Sequence, residues 1–131
     1  MAEIERRKHP RVRIMHPVFY ECFDKKGKLI SQNLGSIVDI SNSGIMIKTE
    51  DAVESDFVLL TSVDLKNKLF EIRGKVIHCK KKTNGEYLSG IKFQETVENN
   101  IRFTGKIVAA YLQNKLKSGT GQPKRETAVR Q

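Results

Sequence analysis

Between residues 12 and 93 the chain alternates apolar and polar positions in six short runs, at 12–23, 29–40, 45–49, 57–65, 69–80 and 87–93. That period of two, with many β-branched and aromatic residues, predicts six strands. Pro17 lies inside the first run and has no amide to donate, which predicts an edge position or a bulge there. The second run carries its apolar signal in Ile37, Val38 and Ile40, with a bend expected at Gly35. Turn chemistry separates the runs: Asp24-Lys25-Lys26-Gly27, Ser41-Asn42-Ser43-Gly44, Lys66-Asn67-Lys68 and Asn84-Gly85, with a polar loop over 50–56. Asn-Gly between alternating runs is the strongest short hairpin signal. After Phe93 the period changes. Val97, Ile101, Val108, Leu112 and Leu116 recur at spacings of four and seven, the stripe of an amphipathic helix over 95–117. Gly105 within it costs about 1 kcal/mol relative to Ala, so a soft or kinked point is expected there. Residues 1–11 and 118–131 have charge but no apolar period and are expected to form a mobile basic arm and a disordered basic tail. Six closely spaced strands favour a small antiparallel barrel, which removes exposed edges, with the helix on its open end or one face.

Composition narrows the function. The chain has 131 residues, room for one domain, and 24 Lys and Arg against 15 Asp and Glu, a formal charge of +9. That excess asks for an anionic partner: nucleic acid, an acidic surface or a phosphate-bearing small molecule. No run approaches the roughly 18 apolar residues of a membrane span. The first residues lack the apolar core of a signal peptide, so a cytoplasmic protein with no membrane insertion is expected. Cys22 and Cys79 make no disulfide framework, and His9, His16 and His78 lack ligand spacing, so no metal is expected. No nucleophile with a matching base stands out, and the chain is not read as an enzyme.

Three segments carry candidate chemistry. Arg6-Arg7-Lys8-His9-Pro10-Arg11 precedes the first strand, and guanidinium forks match phosphate oxygens and the O6/N7 edge of guanine. Asp39-Ile40-Ser41-Asn42-Ser43-Gly44 joins the second and third strands. A carboxylate there can accept from the N1–H and N2–H₂ donors of one guanine, Ser41 shares the Asp39 face by strand parity, and Gly44 allows a close approach. Tyr87-Leu88-Ser89-Gly90-Ile91-Lys92-Phe93 offers a stacking ring and a glycine that marks a bulge or a close approach. Taken singly, each has a plainer reading: a solvated charge run, a self-bonded polar turn, a half-buried strand tyrosine.

In this order the three segments, Arg-Arg-x-x-x-Arg, Asp-x-Ser-x-x-Gly and Tyr-x-x-Gly-Ile-x-Phe, resemble the PilZ domain over about residues 5–117. The resemblance implies an all-β fold, a six-stranded antiparallel barrel with a C-terminal helix. It also implies binding of cyclic di-GMP as ligand, with no cofactor. On that likeness Arg7 and Arg11 would hold phosphates and guanine Hoogsteen edges. Arg6 would sit where the family tends to bind a mutually intercalated ligand dimer. Asp39 and Ser41 would read a base edge and Gly44 would leave room for it. Lys48 would add positive charge, and Tyr87 and Gly90 would wall the site. The implied role is a receptor whose arm closes on the ligand and which signals through a downstream protein effector, in motility, exopolysaccharide or adhesion control. Two alternatives stand beside it. One is a PilZ-like adaptor that works by protein contact without nucleotide. The other is a non-specific nucleic-acid binder, which Lys80-Lys81-Lys82 favours and the lack of Trp and scarcity of other aromatics disfavour.

Overall fold

A computed structural model of the protein describes residues 11–120. Six strands, β1 (Val12–Phe23), β2 (Leu29–Ile40), β3 (Gly44–Thr49), β4 (Phe57–Val63), β5 (Leu69–Lys81) and β6 (Tyr87–Phe93), precede one helix, α1 (Val97–Thr120). The strands close into a barrel in the order β1-β2-β3-β6-β5-β4, every neighbouring pair antiparallel. The expected barrel and helix are both present. The expected arm and tail fall mainly on residues 1–10 and 121–131, outside the described residues.

Alternation sets the interior. Val18, Ile37, Ile40, Ile45, Ile47, Val58, Leu60, Ile72 and Ile91 point inward and are buried. Each such side chain removed from water stabilises the fold by about 1.5–3 kcal/mol. Three hairpins close the strands with chemistry local to their own turns. Asp24 Oδ1 accepts from the Lys26 and Lys28 amides, both at 2.9 Å. Asp64 Oδ1 accepts from the Lys66 and Lys68 amides at 2.8 and 2.9 Å. Asn84 Oδ1 accepts from the Glu86 amide at 3.0 Å. Gly27, Asn67 and Gly85 take the positive φ that each turn requires (82°, 62° and 92°). Because Asp64 is used in this turn, β4 ends at Val63 and not at the expected residue 65. Pro17 pairs with Ser36 of β2, whereas pairing of β1 with β4 begins only at Phe19. Its missing amide therefore has no β4 partner to lose, and a register shift lies just before it, between Arg13 and His16.

The helix departs from expectation in which arc it buries. Phe103, Ile107 and Ala110 pack on the barrel, and Phe103 meets Phe70 and Phe93 at centroid distances of 5.1 and 5.6 Å. Of the expected stripe, only Val108 reaches the core; Val97, Ile101, Leu112 and Leu116 are exposed. Two arcs of α1 are apolar, and the two phenylalanines at the barrel mouth select the one that carries a third. Thr96 Oγ1 caps α1 by accepting from the Asn99 amide at 3.1 Å. The helix runs unbroken through Gly105 and past the expected end at Lys117, to Thr120.

Candidate functional site

The turn between β2 and β3 is built from its own polar atoms. The Ser41 amide donates to the Gly44 carbonyl at 2.9 Å. The Ser41 hydroxyl donates to the same carbonyl at 3.3 Å, accepts from the Ser43 amide at 3.2 Å and lies 3.1 Å from Ser43 Oγ. Ser41 is buried, and α1 holds it from behind, with Thr104 Oγ1 donating to the Ser41 carbonyl at 3.0 Å. A Cβ on Gly44 would collide with the Ile91 carbonyl oxygen of β6. The glycine is thus required by the approach of two strands, and Ser41 by the turn.

Asp39 is different. A register shift between Ile37 and Asp39 puts an extra residue in β2, so Ile37 and Ile40 both face the core while Asp39 stays on the outer surface. Its Oδ2 lies 3.6 Å from Arg11 Nη1, with the two side chains 26% and 35% exposed. Its Oδ1 is buried and has no hydrogen-bond partner among the described residues. Two other buried side-chain oxygens share that state, Ser89 Oγ inside the barrel and Asn100 Oδ1 on α1. Asp39 is the ionisable one, and it lies on the barrel's outer surface.

Across the outer surface Asp39 pairs with Met46 of β3, Met46 with Gly90 of β6, and Gly90 with His78 of β5. A Cβ on Gly90 would lie 2.5 Å from His78 Nε2 and 2.9 Å from Cε1. The expected close approach at Gly90 is made by the His78 ring, brought there by the register shift between Val76 and His78. In the next row Lys48 pairs with Ser36 and Leu88, its Nζ 4.0 Å from Glu86 Oε2. On the other side Gly44 pairs with Lys92 and Lys92 with Lys75. Tyr87 stands apart. It has the inward parity of Ser89 and pairs with the buried Thr49, and Lys81 Nζ sits 5.9 Å over its ring.

Of the sequence-predicted residues, the fold therefore brings Arg11, Asp39, Gly90 and Lys48 to one outer face. It sets Ser41 and Gly44 into the turn beneath that face and puts Tyr87 on the opposite side of β6. Arg6 and Arg7 lie outside the described residues. Met46, His78, Lys92 and Lys75 are the members that sequence reasoning missed. His78 had no signal in the chain: a two-residue Asn84-Gly85 loop would set Cys79 opposite Gly90, and the loop formed is one residue longer, with the Lys82 amide donating to the Glu86 carbonyl. No group of three or more His, Cys, Asp and Glu among the described residues is placed to hold a metal ion. No described helix is long and apolar enough to cross a membrane.

The face can do three things chemically. It accepts a hydrogen bond at Asp39 Oδ1, it presents cations around that acceptor, and its half-buried Met46 adds apolar surface between them.

The family model of the PilZ domain matches residues 5–110. Among solved structures the chain is similar to the K. pneumonia MrkH–c-di-GMP complex, with 20% identity and a TM-score of 0.58 over 86% of this chain and 56% of that one. It is similar to the Bacillus subtilis inhibitor of motility (MotI/DgrA), with 12% identity and a TM-score of 0.56 over 86% and 52% of the two chains. The PilZ domain of Escherichia coli YcgR with c-di-GMP aligns with 12% identity and a TM-score of 0.56 over 89% of this chain and 99% of that one. The chain thus spans about half the length of the first two and all but the whole of the third. At these identities the likeness is one of fold. No curated protein shows a significant match.

Proposed function

The chain belongs to the PilZ domain family, and we propose from that premise that it is a cyclic di-GMP receptor, a ligand-binding protein and not an enzyme. The observation that carries the reading is Asp39 Oδ1, a buried acceptor on the outer face without a partner among the described residues. An unpartnered buried polar atom costs about 1–3 kcal/mol, more when charged. A ligand that donates to it recovers that cost, and the N1–H and N2–H₂ edge of guanine has the donors. The ligand's phosphates need cations. Arg11 stands 3.6 Å from the same carboxylate, and Lys48 and Lys92 flank it within the sheet.

In this reading Arg7 and Arg11 clamp phosphate and guanine Hoogsteen edges as residues 1–11 close over the face. Arg6 supports a second, intercalated ligand. Ser41 and Gly44 act by fixing the turn that aims Asp39, and Gly90 with His78 forms the wall next to Met46. The closed arm changes the surface that a downstream protein effector meets in the cytoplasm, the usual form of a ligand-driven order–disorder switch. Ordering the arm opposes binding by about 1–2 kcal/mol per residue fixed.

Calorimetric titration with cyclic di-GMP, with GTP and cyclic AMP as controls, tests the reading and gives ligands per chain. Saturable binding of cyclic di-GMP alone is expected. No heat and no rise in melting temperature with excess ligand would overturn it. Oligonucleotide binding that weakens steeply with salt would point instead to backbone recognition of nucleic acid.

A further inference from the structure

Asp39 is aimed by its backbone. Among the described residues its carboxylate makes no hydrogen bond: Oδ1 has no partner, and Oδ2 meets Arg11 only at ion-pair range, 3.6 Å. The chain on either side must therefore set its direction. On one side lies the extra residue of β2, between Ile37 and Asp39, where the ladder is interrupted. On the other come Ile40, buried in the core, and Ser41, buried in the turn. The Ser41 amide and hydroxyl are both spent inside that turn, on the Gly44 carbonyl. Its carbonyl is not, and it is here that α1 reaches the turn.

Thr104 Oγ1 donates to the Ser41 carbonyl at 3.0 Å, across 63 positions of sequence, and is its one partner among the described residues. A threonine hydroxyl inside a helix has a nearer acceptor, the carbonyl one turn back, here that of Asn100. Thr104 serves the turn instead. Threonine is also a weak helix former, and the buried seam of α1 on the barrel is the apolar set Phe103, Ile107 and Ala110. Neither the helix nor its seam accounts for a threonine at 104. Asn100, one turn earlier on the same side of α1, has its Oδ1 buried without a partner among the described residues. A junction that served stability alone would be apolar or fully paired. We propose that Thr104 is a positioning residue for the ligand face. By holding the Ser41 carbonyl it fixes the start of the β2–β3 turn, two residues from Asp39, and so the orientation in which Asp39 meets a guanine edge. Without the hydroxyl the buried carbonyl must turn to another donor, and the turn moves with it. The inference rests on the cyclic di-GMP reading of that face and extends its support to α1.

Calorimetric titration of the full chain with cyclic di-GMP, on the wild type and three variants, tests it beside thermal melts. Thr104→Val keeps the shape and removes the hydroxyl. It should weaken binding about three- to tenfold, the scale of one hydrogen bond. Thr104→Ser keeps the hydroxyl and should bind as the wild type does. Ile107→Val loosens the same helix at the barrel mouth and leaves the hydroxyl in place. It should lower the melting temperature by a few degrees, as Thr104→Val does, and leave binding unchanged. Wild-type affinity in Thr104→Val would overturn the proposal. So would a Thr104→Ser protein that binds as weakly as Thr104→Val, because the methyl and not the hydroxyl would then matter. An Ile107→Val protein that loses as much affinity as Thr104→Val would reduce Thr104 to one more contact of helix docking, and would overturn it too. A wild type that binds no cyclic di-GMP would overturn the receptor reading itself, and this inference with it.

Discussion

Aspartates in two settings differ in what their carboxylates touch. At the β1–β2 and β4–β5 turns, Asp24 and Asp64 each direct one oxygen at two backbone amides of their own loop. At the end of β2, Asp39 directs an oxygen at nothing among the described residues, although that oxygen is buried. The first arrangement satisfies amides that a hairpin leaves free, and it stabilises the fold. The second opposes folding, because a desolvated acceptor goes without a hydrogen bond. A carboxylate in that state on an outer surface is better explained by what binds it than by what it holds together.

Substitution separates the two kinds, and Asp39→Ala carries the largest expected effect. It should weaken cyclic di-GMP binding by roughly two to three orders of magnitude, the scale of losing a buried charged partner, while the melting temperature holds or rises. Calorimetry and a thermal melt check both halves; lost stability with intact binding would make Asp39 a third structural aspartate. Arg11→Ala should weaken binding by roughly tenfold and change stability by less than about 1 kcal/mol, since its pair with Asp39 is partly exposed. The loss should shrink as salt rises.

Asp64→Ala should leave binding unchanged and lower the melting temperature by a few degrees. Its pH dependence has a definite sign. Hydrogen bonds from the Lys68 and Lys66 amides, aided by Lys106 and Lys68, hold the Asp64 carboxyl below its ordinary 3.8. A lowered folded pKa gives stability that is fully present above 3.8 and is lost as pH falls through the folded value. Melts of the wild type and Asp64→Ala should therefore differ at neutral pH and converge in acid. Gly90→Ala carries the smallest expected effect on stability, below about 1 kcal/mol. The atoms its Cβ would meet belong to the exposed His78 ring, which can swing aside. If binding changes with it, the row from Asp39 to His78 is one site; unchanged binding would confine the site to the Asp39 end.

Much of this molecule is legible along the chain because its determinants are short-range. Asn84-Gly85 and Asp24 through Gly27 fix their turns through a positive φ and amides two to four residues away. The β1, β2 and β6 bounds coincide with the apolar runs. Asp39 was visible too, as the carboxylate of a motif. That Ser41 would be buried in its own turn was open, since a serine near a strand end serves a turn or a ligand equally well.

What the chain alone settled, then, was where strands and turns lie and which residue types could meet a guanine and a phosphate. Side-chain facing was decided only on closure of the barrel. One extra residue in β2 reverses parity, so Asp39 goes outward between inward Ile37 and Ile40. A similar shift in β5 lays His78 over Gly90. Likewise α1 has two apolar arcs of comparable period, and periodicity cannot rank them. Packing against Phe70 and Phe93, more than twenty residues apart in sequence, chose the arc of Phe103 and left the other to face outward.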